Sequence, residues 1–160
     1  MYCCSEEQVL RAIRSNEWDN NRLLRPSSLA KPDLSVSRLK IYSKRRIFAI
    51  FHRDFDYTQA HFLFAFNFNV GELEKCSLDF RSNLKQKEQN NFVPIKVKAD
   101  PLLNDNESHA IVEPKITRGL ANHIIKSNIG IHTKEMAITK LIYSFLRVTR
   151  FGKYILKYVR

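Results

Sequence analysis

The stretch HFLFAFNFNV, residues 61–70, constrains the fold more than any other part of the chain. Side chains alternate along a β-strand, so a period of two puts Phe62, Phe64, Phe66 and Phe68 on one side. His61, Leu63, Ala65, Asn67 and Asn69 then face the other side. Four phenylalanines on one face need an apolar layer against them, and packed helices supply one.

The flanking segments fill in that picture. Ser5 opens S-E-E-Q, a capping-box pattern that ends at Gln8, and Val9, Leu10 and Ile13 follow at helical spacing, which predicts a helix over 6–17. LSVSRLKIY at 34–42 reads as a strand, and SKRRIFAIFHRDF at 43–55 as a helix. CSLDFRSNL at 76–84 suits another strand. In FVPIKVKAD at 92–100, Val93, Ile95 and Val97 oppose Lys96 and Lys98, and SHAIVE at 108–113 reads as a short interior strand. From Ile116 the pattern turns helical, with Leu120, Ile124 and Ile125 on one side and Gly130 as a stop. Thr133 then caps a last helical segment running to Arg160. The expected architecture is α+β: a mostly antiparallel sheet of four to five strands packed by N-terminal and C-terminal helices on one face. Its 160 residues fit a single domain, 1–160, in which 133–160 is a basic amphipathic C-terminal segment.

Charge points to the class of partner. The net charge is +11, and from Lys115 onward ten Lys/Arg face one acid, Glu135, so +9 of it lies in the last 46 residues. Arg147, Arg150, Lys153, Lys157 and Arg160 cluster opposite an apolar face of Leu141, Phe145, Val148, Ile155 and Val159. Evenly spaced cations of this kind can follow a phosphate backbone. The expected partner is nucleic acid, RNA ahead of DNA, with an acidic protein or an anionic membrane surface as alternatives. The structural alternative is a solvated face on an ordinary packed helix. Cys3, Cys4 and Cys76 show no metal-ligand spacing, and no phosphate-cradling or cofactor fingerprint appears, so neither a metal nor a cofactor is expected. The start MYCCSEEQVLRAIRS lacks a signal-peptide layout, and no apolar run approaches the roughly 20 residues of a membrane span, so a cytoplasmic protein is expected.

Candidate chemistry centres on His109, where the polar turn NDNES meets the apolar run HAIV. An imidazole gives or takes a proton near neutrality. Arg25 and Arg38 would hold a phosphate, and Ser35 would supply a hydroxyl beside them. Together they form the set that a metal-free ribonuclease requires. The structural alternatives are that His109 only bonds a backbone group at a strand end, and that Ser27 and Ser28 only satisfy a turn.

The layout RPSSL…DLSVSRL…VGEL…VKADPLLNDNESHAIV…RGLANHI resembles a group of small uncharacterised bacterial proteins. These share an S-x-F segment, an L-S-V-x-R strand, a V-G strand and a D-P…H-A-x-I segment before a helix. The likeness covers roughly residues 25–125, with Leu29 in the place of that Phe, and it carries no assigned activity. It implies that Ser28, Ser35, Arg38 and His109 converge. Three functions are therefore in play. The first is action on RNA, in its sharpest form as a metal-independent, toxin-like or defence-associated ribonuclease. The second is a non-catalytic nucleic-acid-binding module, and the third an NAD-handling enzyme of ADP-ribosyltransferase type.

Overall fold

Residues 8–14, where the capping-box pattern predicts a helix, form the central strand of a sheet. The computed structural model describes residues 1–18, 24–55, 59–101, 106–127, 129 and 131–133. In chain order the strands are β1 (Gln8–Arg14), β2 (Leu34–Arg38), β3 (Phe62–Asn69), β4 (Lys96–Ala99), β5 (His109–Glu113) and β6 (Ile131–Thr133). The helices are α1 (Pro26–Leu29), α2 (Lys44–Phe55), α3 (Val70–Ser82), α4 (Gln86–Asn90) and α5 (Arg118–Lys126). The strands form one sheet of order β4-β5-β2-β1-β3-β6, and every pairing is antiparallel. The class is α+β, as expected, and the three-residue edge strand β6 brings the sheet to six strands.

Two expectations are corrected by the packing. The N-terminal helix is absent because β1 is covered on both faces. Val9 and Ile13 join the cluster beneath α1, α3 and α5, while Leu10 and Ala12 join the cluster beneath α2. A strand buried on both sides reads as a continuous apolar run, and its period of two is lost. For the same reason the helices lie on both faces of the sheet rather than on one.

A third correction concerns residues 76–84, expected as a strand. They continue α3, whose buried Val70, Leu73, Cys76 and Ser77 recur at helical spacing. Asn69 caps this helix by accepting a hydrogen bond from Glu72 N at 3.1 Å, so β3 passes into α3 with no loop between them. The Val-Gly pair that the bacterial likeness would place in a strand opens this helix instead. A Cβ on Gly71 would stand 3.0 Å from the Ser5 carbonyl oxygen, so the turn before β1 packs closely on the helix start.

The phenylalanine strand departs from its expected faces at one point. Phe64, Phe66 and Phe68 lie on the α3/α5 side with ring centroids 5.8 and 5.7 Å apart. Phe62 belongs to the other cluster, edge-on to Phe48 at 5.4 Å. The register with β1 slips here: Ile13 opposes Phe64 and Arg14 opposes Phe62, so Leu63 is the extra residue of a bulge. One inserted residue sends the next side chain to the opposite face. The N-terminal residues lie along the outer edge of β4, where Cys3 N donates to Val97 O and Ala99 N donates to Met1 O. Among the described residues, no helix is long and apolar enough to cross a membrane.

Because Phe62 anchors α2, Phe62→Ala is expected to cost about 3–5 kcal/mol in urea unfolding. It should also speed hydrogen exchange of α2 amides ahead of those in α3.

Candidate functional site

The antiparallel registers bring the start of β1, the ends of β2, β3 and β4 and the start of β5 to one end of the sheet. Chain direction then decides which candidate residues meet there. His109 opposes Ser37 on β2, so both point to the face that carries α2. Its Nδ1 lies 2.6 Å from the Asp100 carbonyl oxygen and 3.4 Å from Asp100 Oδ2. A carbonyl oxygen only accepts, so Nδ1 is the donor in this bond. The structural alternative for His109, a bond to backbone at a strand end, is thus present, and it leaves the other ring nitrogen available.

The turn before His109 is held by a buried network of Ser37, Asn106 and Ser108. Ser108 Oγ and N donate to Asn106 Oδ1 at 2.6 and 3.1 Å, and Asn106 Nδ2 donates to Ser37 Oγ at 3.5 Å. His109 N donates to Asn106 O at 3.0 Å, which fixes the entry into β5. Ser35, opposite Ile111, shares this face, with its hydroxyl 3.5 Å from the Asp33 carbonyl.

Arg38 and Arg25 do not join them. Arg38 is one residue beyond Ser37, so pleating turns it to the α3/α5 face. There its Nε and Nη2 hold Glu7 at 2.6 and 3.1 Å in a two-pronged pair, with the Glu7 side chain 1% exposed. Arg25 lies at the far end of the sheet, where it precedes α1 and reaches the Asn16 carbonyl with Nη1 at 3.4 Å. Ser28 Oγ donates to Arg25 O at 2.7 Å, which is turn chemistry. Burial, followed by the Glu7 charge, pushes the Cys3 thiol above its ordinary pKa, so Cys3 is not a ready nucleophile.

What does stand on the face and end of His109 is the first turn of α2. Lys44, Arg45 and Arg46 are all exposed there, with no acid in that turn. The Arg46 guanidinium sits 3.6 Å over the Tyr42 ring, and Lys44 Nζ lies 6.0 Å from the Phe48 centroid. Cations at a helix N-terminus oppose its macrodipole, so the three charges and the helix end add to one positive field. The signal was the KRR run directly after Ser43, inside a helix that the sequence already predicts. The stripe of Arg147, Arg150, Lys153, Lys157 and Arg160 lies outside the described residues.

A second charged cluster lies at the other end of β1, where the Arg14 guanidinium also sits 5.6 Å over the Phe55 ring of α2. Glu17 Oε1 meets Arg11 Nη2 at 3.0 Å, Arg14 Nη2 at 3.5 Å and Lys31 Nζ, and Glu17 Oε2 accepts from Arg14 N at 2.9 Å. Burial raises the Glu17 pKa, but the Arg11 charge, the Lys31 hydrogen bond and the Arg14 amide outweigh it and hold the carboxyl below its ordinary value. A depressed acid contributes stability above its unfolded pKa and loses it as pH falls through the folded one. Wild type is therefore expected to lose stability on acidification below the ordinary glutamate range, and Glu17→Gln to flatten that part of a denaturation-versus-pH curve. Arg38→Ala should cost about 3 kcal/mol or more in urea unfolding because it strands a buried carboxylate, whereas Ser35→Ala should stay within about 0.5 kcal/mol. Comparison with known proteins finds no matching family model, no matching curated protein and no matching solved structure.

Proposed function

We propose that this chain is a nucleic-acid-binding module that takes RNA ahead of DNA through its exposed cations. The observation that carries the reading is the first turn of α2, where Lys44, Arg45 and Arg46 face solvent and the turn itself contains no acid. Such a turn binds phosphates without reading bases, because the attraction is to backbone charge. The ten cations that follow Ile116's neighbour Lys115, itself included, extend the same charge along the chain. Free Cys3, Cys4 and Cys76 suit a cytoplasmic setting.

One observation favours a second reading, a metal-independent ribonuclease of toxin or defence type. His109 Nδ1 is anchored at Asp100, which orients the ring on the face and end that carry the α2 cations. In that case Lys44 and Arg45 would take the phosphate-holding role first assigned to Arg25 and Arg38. Nothing among the described residues favours the NAD-handling alternative.

Fluorescence anisotropy with single-stranded RNA across a salt series tests the binding reading. Affinity is expected to fall steeply with salt, and Lys44→Glu/Arg45→Glu to lower the log–log slope by about two. An unchanged slope in that variant would remove α2 from the interface. RNA cleavage in chelator that disappears in His109→Ala would establish the nuclease reading, and intact RNA would leave binding alone.

A further inference from the structure

Where β1 ends, one carboxylate serves three cations. Glu17 meets Arg11, Arg14 and Lys31, so two positive charges are left over among the described side chains of the cluster. Arg11 and Glu17 are buried, with 7% and 5% of their side-chain surface exposed, so the guanidinium of Arg11 has little water to solvate it. Two further cations beside this buried pair raise the local positive potential, which a bound anion would relieve. Arg11 also occupies an inward position on the central strand, between Val9 and Ile13, where an apolar residue would pack without that penalty.

The Arg11 guanidinium has an idle edge. Its Nη2 donates to Glu17, while its buried Nε has no hydrogen-bond partner. Glu17 does not serve that edge, because Oε1 receives Arg11 Nη2 and Lys31 and Oε2 takes the Arg14 amide. An unpaired guanidinium N–H beside further cations is a donor suited to a phosphoryl oxygen. Arg14 and Lys31 each keep 29% of their side-chain surface, so an anion can reach them from water and find Arg11 behind them.

We infer that Arg11, Arg14 and Lys31 form a site for a phosphate dianion, with Glu17 as the resident carboxylate that holds the cations together. The two surplus charges among the described side chains match a dianion, whereas a carboxylate would leave one of them uncompensated. The dianion is either free inorganic phosphate or a phosphomonoester at the end of a nucleotide or strand. This site lies at the opposite end of the sheet from the α2 cations, with the Arg14 guanidinium also 5.6 Å over the Phe55 ring at the far end of α2, and it does not rest on the nucleic-acid reading.

Isothermal titration of the full chain at constant ionic strength tests the inference. The probes are inorganic phosphate, and a short oligonucleotide in 5′-phosphorylated and 5′-hydroxyl forms. Wild type is expected to bind phosphate, and Lys31→Met and Arg14→Gln to bind it roughly ten- to a hundredfold more weakly, as the loss of one charge-assisted contact implies. Glu17→Gln removes a competing negative charge and is expected to bind more tightly, with phosphate raising its melting temperature more than that of wild type. The opposite signs of these variants keep the test decisive even where one of them folds poorly. Repeating the Lys31→Met and Arg14→Gln titrations in a Lys44→Glu/Arg45→Glu background separates phosphate held here from phosphate held at α2, and the loss of affinity is expected to persist in that background. Preference for the phosphorylated strand identifies a strand end as the source, and equal strands with phosphate binding intact identify the free ion. Heats on folded wild type that match a chloride control, or equal affinity in Lys31→Met and Arg14→Gln, would overturn the site.

Discussion

Burial of β1 on both faces is the constraint from which the other elements take their places. Val9, Leu10 and Ile13 have no exposed surface, and each such side chain contributes about 1.5–3 kcal/mol by leaving water. To cover both sides the chain must lay down two layers: α1, α3 and α5 on one, and α2 on the other. Strands β2 and β3 flank β1 and run parallel to each other, so the chain between them has to cross the sheet, and α2 is that crossing. Among the described residues, the second face is covered over β1 and β3 by the single helix α2. The β2–β5–β4 half keeps a polar face of Ser35, His109, Lys96 and Lys98.

The two ends of β1 carry ion pairs of different character. At the first, Glu7 and Arg38 are matched in charge and share two contacts, an arrangement that fastens β2 beside the entry to β1. At the second, Glu17 is outnumbered by Arg11, Arg14 and Lys31. A balanced pair has a sufficient structural account, whereas an unbalanced one invites a ligand. The same contrast separates Arg38, which is fully engaged, from Lys44 and Arg45, which face water.

How much of this was legible depends on whether a residue's environment repeats along the chain. The α2 helix and strands β2, β3 and β5 were readable because one face of each differs from the other in polarity. β1 was not, since VLRAI is buried on both sides and mimics a helix start after Ser5. α3 was missed because its N-cap, Asn69, is also the last residue of a strand, so no turn residues mark the change. The site was half legible. His109 and Ser35 do share a face, but strand parity sends Arg38 to the other side, and the 3-10 turn at Ser15–Glu17 carries the chain toward Arg25 at the far end. The bulge at Leu63 is equally invisible in the alternating FLFAF pattern, because it arises from pairing with β1 and not from composition.

The α2 crossing also determines how the chain emerges during synthesis. β1 and β2 leave the ribosome early, but the other edge of β1 stays open until β3 follows, and Gln8 must wait for Asn69. Through that interval the Leu10–Ala12 side is bare, because α2 itself is docked by Phe62. Pairings so far apart in the chain make closure slow. A nascent strand that is apolar on both sides and open along one edge is exposed to misassociation until that closure is complete.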